Sequence, residues 1–176
     1  IISYLKFAYN EKDYLTLSRI INVPKRGIGD SSLKKIKELL KQHFISDIIT
    51  NEELLHQTRL SNKSRNEFLK FLRLIEDIRE KILTDSSLGS VIDFIIKAVE
   101  YNLYLENVCQ NENTLISKKS NLDELKFLAS AYNSVTDFLS STALDETTGD
   151  DIEDTDSISI MTMHSSKGLE YKVVFI

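Results

Sequence analysis

Apolar residues recur along most of this chain at three- and four-residue intervals, the spacing of one helix face. Leu17, Ile20 and Ile21 keep it over residues 13–22. Leu33, Ile36 and Leu40 keep it in a helix expected from about Ser31, with Asp30 as its N-cap. Phe68, Leu72, Ile75, Ile78 and Ile82 form the clearest stripe, over 64–83, where Ser64 and Glu67 have capping-box spacing. Leu88, Val91, Ile95 and Val99 predict a long helix from about Ser87 to Glu106. Leu125, Leu128, Tyr132, Val135 and Leu139 predict another from about Leu122 to Ser140. Residues 1–9 read as the end of a helix. Amphipathic helices of this length can bury one shared core.

The pattern changes near residue 150. Residues 143–156 hold seven acidic side chains and no basic one, which predicts a self-repelling linker. After it, SISIMTM at 157–163 alternates and is rich in β-branched residues, and Lys172–Ile176 is an apolar run. Both read as strands. A buried strand needs neighbours, and few candidates occur upstream. With an opening Ile1-Ile2 in place of Met, this leads us to expect a piece cut from a longer protein. The expected fold class is therefore mainly α, a multi-helix domain with a short C-terminal strand–loop–strand.

Composition narrows the chemistry. Hydrophobic residues make up 41% of the chain, enough for a core, and the formal charge is −5. That charge does not point to nucleic acid, but it hides a local reversal. Residues 19–41 hold seven basic residues (19, 25, 26, 34, 35, 37, 41) against two acidic ones (30, 38). Cys109 is the single cysteine, so no disulfide framework or cysteine metal cluster is expected. His43, His56 and His164 are too far apart in sequence to form a ligand motif. No signal peptide or membrane-spanning run is visible, and a cytoplasmic origin is expected.

Two stretches carry candidate chemistry. In VPKRGIGDSSLKKI, residues 23–36, Gly27 and Gly29 flank Ile28 just ahead of a helix. Glycine lets the backbone turn sharply and approach another surface. A helix N-terminus offers unpaired N–H groups and a positive dipole end. Lys25 and Arg26 add charge, and Ile28 would anchor the turn to the core. This suits a sequence-independent grip on a DNA backbone; the plainer reading is a helix–turn–helix corner with solvated lysines. In MTMHSSKGLEYKVVFI, residues 161–176, Thr162, His164, Ser165, Ser166 and Lys167 can donate to phosphate oxygens, and Glu170 can accept from sugar hydroxyls. The plainer reading there is a solvated surface hairpin. Nothing forms a hydrolase constellation or a Walker A loop, so no catalytic or metal-ligating residue is assigned.

Taken together, these stretches closely resemble superfamily 1 DNA helicases of the UvrD/PcrA/Rep type. Met161, Thr162, His164, Lys167, Gly168, Leu169, Glu170 and Tyr171 match that family's motif V. RIINVPKRGIGDSSLKKI resembles its Gly-Ile-Gly segment, and SNLDELK at 120–126 resembles a helix start late in its 2B subdomain. One departure is Tyr171-Lys172, where many relatives have Phe-Pro.

The resemblance implies that residues 10–155 form a 2B-like domain, with 143–156 as its acidic linker. Residues 1–9 and 157–176 would be flanking pieces of a RecA-like 2A domain. Thr162 and His164 would then sit beside single-stranded DNA, and Glu170 would reach the ribose of ATP after a turn at Gly168. Lys25, Arg26, Gly27, Ile28 and Gly29 would touch duplex DNA ahead of the fork. ATP and magnesium would serve the parent protein and no cofactor this chain, which should hydrolyse no ATP because phosphoryl transfer needs a phosphate cradle, a metal and a charge-stabilising arginine. Expected partners are duplex DNA, single-strand/duplex junctions, the rest of the helicase polypeptide and regulatory proteins, with no membrane. A helical protein-interaction module without DNA contact is the alternative, and an independent nuclease lacks a clustered metal site.

Overall fold

The first buried layer is aromatic. Tyr4 and Phe7 of α1 (Ile2–Tyr9) meet Phe68 and Phe71 of α6 (Asn62–Thr84), and Phe71 lies within 6.0–6.4 Å of the other three ring centres. Such tilted and stacked pairs add to what burial alone contributes. This is a computed structural model, and it describes residues 1–85 and 87–147, with side chains through Thr142. Ten helices are found among the described residues. The expectation of a mainly helical chain holds for them, and the strand–loop–strand of 157–176 lies outside them.

Around this layer Ile1–Thr142 form one unit. Residues 1–9, expected as a flanking 2A piece, pack inside it: Tyr4, Leu5, Phe7 and Ala8 are buried against α2 (Tyr14–Ile20), α6 and α7 (Leu88–Ala98). Between α2 and α6 run α3 (Asp30–Gln42), α4 (Ile45–Thr50) and α5 (Glu53–Gln57). A buried carboxylate and a partly buried arginine tie three of these parts together. The Glu11 carboxylate accepts the Ile45 N–H at 3.1 Å and an Arg79 N–H at 3.2 Å, while Arg79 Nε donates to the Ala8 carbonyl at 2.9 Å. A buried carboxylate needs such partners to offset its desolvation.

Several boundaries move. The N-cap of α3 is Gly29, and Asp30 is the first helical residue. The N-cap of α6 is Ser61, whose hydroxyl accepts the Ser64 N–H at 3.2 Å. Ser64, expected as the cap, is itself buried inside the helix. The helix expected over 87–106 is two: α7 stops at Ala98, Glu100 turns left-handed at φ 52°, and α8 (Tyr101–Val108) follows. The helix expected over 122–140 is also two. In α9 (Glu112–Ser130) the Asn111 side chain caps the Thr114 N–H, and α10 (Val135–Thr147) enters the acidic stretch expected as a linker. SNLDELK is therefore mid-helix and not a helix start. Among the described residues no helix is long and apolar enough to cross a membrane.

Candidate nucleic-acid interface

Between α2 and α3 the chain makes a turn whose shape is set from inside. Ile28 is 2% exposed and joins the core, as an anchor should. Asn22 grips its backbone on both sides: the Nδ2 amide donates to the Ile28 carbonyl at 2.6 Å, and the Ile28 N–H donates to Oδ1 at 3.0 Å. Gly27 has φ +71°, which side-chain-bearing residues seldom adopt. Gly29 does not need that freedom. Its φ is −74°, and a Cβ there would meet no atom within 4 Å.

Arg26 and Lys25 part company. The Arg26 guanidinium turns inward, where its Nη1 donates to the Ile20, Ile21 and Pro24 carbonyls at 3.1–3.2 Å. Its Nη2 donates to the Tyr4 hydroxyl at 2.6 Å, and that hydroxyl donates to the Val23 carbonyl at 2.8 Å. The cation lies 5.3 Å from the Phe71 ring centre and 5.8 Å from that of Tyr4. Burial pushes the Tyr4 phenol above its ordinary pKa, against the pull of Arg26, which favours the phenolate. Lys25 is exposed. Of the five residues expected to touch duplex DNA, then, Lys25, Gly27 and Gly29 face solvent, whereas the Ile28 side chain and the Arg26 guanidinium face the protein.

α3 carries this turn at its N-terminus and is fastened at its far end. The Leu40 carbonyl accepts from Lys12 Nζ at 2.6 Å and from the Tyr14 hydroxyl at 3.1 Å. A cation at a helix C-terminus is favourable. Ile36, Leu39 and Leu40 are buried, leaving Lys34 and Lys35 exposed. Lys35 Nζ donates to the Arg59 carbonyl at 2.9 Å, which brings a second turn alongside. Exposed Arg59 (φ 53°) and Lys63 flank the Ser61 cap there. Nearby, Glu67 is held below the ordinary carboxylate pKa, first by the Lys70 hydrogen bond and then by the charges of Lys70, Arg26 and Lys63. A charge count along a linear window misses Arg59 and Lys63. The signal that finds them is the pairing of basic residues with a serine cap. Together these groups present cations and open backbone to solvent, a chemistry suited to phosphate oxygens.

The chain matches the UvrD-like helicase C-terminal domain along residues 1–176. It belongs to that family. Among similar proteins, ATP-dependent DNA helicase PcrA of Staphylococcus aureus is 34% identical over 192 residues, covering all of this chain and 24% of its own length. DNA helicase II of Rickettsia typhi is 30% identical over 181 residues, covering all of this chain and 26% of its own length. This chain thus spans about a quarter of the length of those relatives. Within this UvrD-like chain, Thr162, His164, Gly168 and Glu170 lie outside the described residues.

Proposed function

We propose that this chain is the helical accessory part of an ATP-dependent DNA-unwinding motor, and that its 22–30 turn grips duplex DNA at a single-strand/duplex junction. The observation that carries the reading is Gly29. Neither backbone angle nor crowding calls for glycine there, and the open space would admit a phosphate backbone at close range, beside exposed Lys25 and the N-terminus of α3. The relatives' names supply the substrate class. In the parent, Thr162 and His164 would contact single-stranded DNA, while Gly168 and Glu170 would bear on ATP, whose hydrolysis with magnesium supplies the energy for unwinding. The helical unit would regulate that motor and hydrolyse nothing alone.

The test is fluorescence anisotropy of a labelled junction, titrated with this chain at low and moderate salt. Gly29→Ser improves the N-cap and keeps the fold, but fills the approach space. It should weaken binding while the melting temperature holds or rises. Lys25→Ala should weaken binding and lower the salt slope by about 1. Unchanged affinity in both variants would sink the proposal.

A second reading, a protein-interaction module, draws on a different face. Leu83 and Phe127 are 85% and 78% exposed. Phe127 also borders an open depression of about 660 Å3 between the end of α6, α7 and α9. Its lysines are matched by acids: Lys81 with Asp85, Lys97 with Asp93, and Lys126 with Asp93 and Asp123. A neutral, partly apolar surface suits protein better than phosphate. Junction binding absent even at low salt would favour this reading.

A further inference from the structure

We infer that Asn22 and Arg26 are positioning residues that template the 22–30 turn from within, leaving DNA contact to Lys25 and the glycine backbone. The inference rests on the duplex-gripping reading for its consequence, but not for its geometry.

The alternative is an Arg26 that swings outward to a phosphate. That movement would strip donors from the Ile20, Ile21 and Pro24 carbonyls and from the Tyr4 hydroxyl, and would remove the cation from two aromatic rings. Charge-assisted bonds of this kind are among the stronger ones in proteins. A single new phosphate contact at an exposed site replaces them poorly, and Lys25 next door already offers an exposed cation.

The inward position does structural work that lysine cannot copy. The planar fork reaches the end of α2 with one nitrogen and α1 with the other. It therefore fixes where the turn leaves α2. Asn22 fixes where it returns, by closing both polar groups of Ile28. Lys25 and Gly27 between the two clamps, and Gly29 just beyond them, are the exposed residues of 22–29. A pre-shaped loop has less freedom to lose on binding, which favours affinity.

The experiment uses the 176-residue chain with Asn22→Ala, Arg26→Lys, Arg26→Gln and Lys25→Ala. Backbone order parameters of the Gly27 and Gly29 amides are measured without DNA, and junction affinity by anisotropy. Arg26→Lys keeps the charge but loses the fork. It should drop the glycine order parameters from about 0.85 to below about 0.6 and should bind as weakly as Arg26→Gln. Asn22→Ala should loosen the same residues, with amide signals outside the turn and its neighbours unchanged. Lys25→Ala should leave the turn ordered. Arg26→Lys that keeps both an ordered turn and wild-type affinity, while Arg26→Gln loses affinity, would make Arg26 a direct charge contact and overturn the inference. Wild-type chain that fails to bind the junction at low salt would instead defeat the duplex-gripping reading. The order parameters still decide positioning in that case: a turn that stays ordered in both Arg26→Lys and Asn22→Ala overturns it.

Discussion

α3 and α9 both carry lysines on exposed faces, yet they are held in opposite ways. α3 buries Ile36, Leu39 and Leu40 in 13 residues and is fastened at each end, by the 22–30 turn and by Lys12 and Tyr14 on Leu40. α9 runs 19 residues, and Ala129 is its one buried side chain. It is held instead by a close crossing with α7 at Gly89, by partly buried Leu122 and Leu125, and by ion pairs of Lys119 with Glu106 and Lys126 with Asp93. Exposed ion pairs contribute little. In these two helices, then, burial is concentrated beneath the basic surface and thin beneath the neutral one.

The largest test of that contrast is Phe71→Ala. It removes the ring shared by Tyr4, Phe7, Phe68 and the Arg26 cation, and should cost about 4 kcal/mol in urea unfolding. A loss under about 1 kcal/mol would mean the aromatic layer is not what holds the α3 side. On the other side, Gly89→Ala would place a Cβ 2.0 Å from Ser130 Oγ and 2.8 Å from the Lys126 carbonyl. Because the second neighbour is backbone, the helices must part, at about 2 kcal/mol. Adding Ser130→Ala should leave most of that loss in place, and full recovery would show that the hydroxyl alone sets the crossing.

Asp13→Ala should cost about 1 kcal/mol, since its carboxylate caps the Thr16 N–H at the start of α2. The Thr16 hydroxyl and N–H hold the Asp13 carboxyl below its ordinary pKa. Its contribution is therefore complete above the unfolded carboxylate value and fades as pH falls through the lower folded one. The gap between wild type and variant should shrink below about pH 4, and a gap that persists at pH 2 would remove the charge from the explanation. Smallest of all, Phe127→Ser should change stability by under about 0.5 kcal/mol. A larger drop would show that α9 is held by more than its crossing.

These contrasts were unevenly legible in sequence. The stripe of α3 and the central stripe of α6 are strong periodic signals and appear where periodicity places them. The break at Glu100 has no such signal: no glycine or proline marks it, and a glutamate takes φ 52° between buried Val99 and Leu105. Tertiary packing overrides local preference there. The first half of α9 was missed for a related reason. Residues 112–121 offer few apolar positions, and the helix relies on its Asn111 cap and its neighbours. At the candidate site, the turn, its glycines and its Ile28 anchor were readable, because each follows from local backbone chemistry. The inward course of Arg26 was not. Arginine is seldom deeply buried without partners, and its partners here include a tyrosine and a phenylalanine 22 and 45 positions away.

The fastening of α3 at both ends has a mechanical meaning. Tension applied at Lys25 would not be taken up by the turn alone. It would pass along α3 to Lys12 and Tyr14 and, one residue from Lys12, to Glu11 with its ties to Ile45 and Arg79. A pull on this corner is thus shared among α1, α4 and α6, and the corner behaves as a stiff bracket in which no single contact takes the whole load.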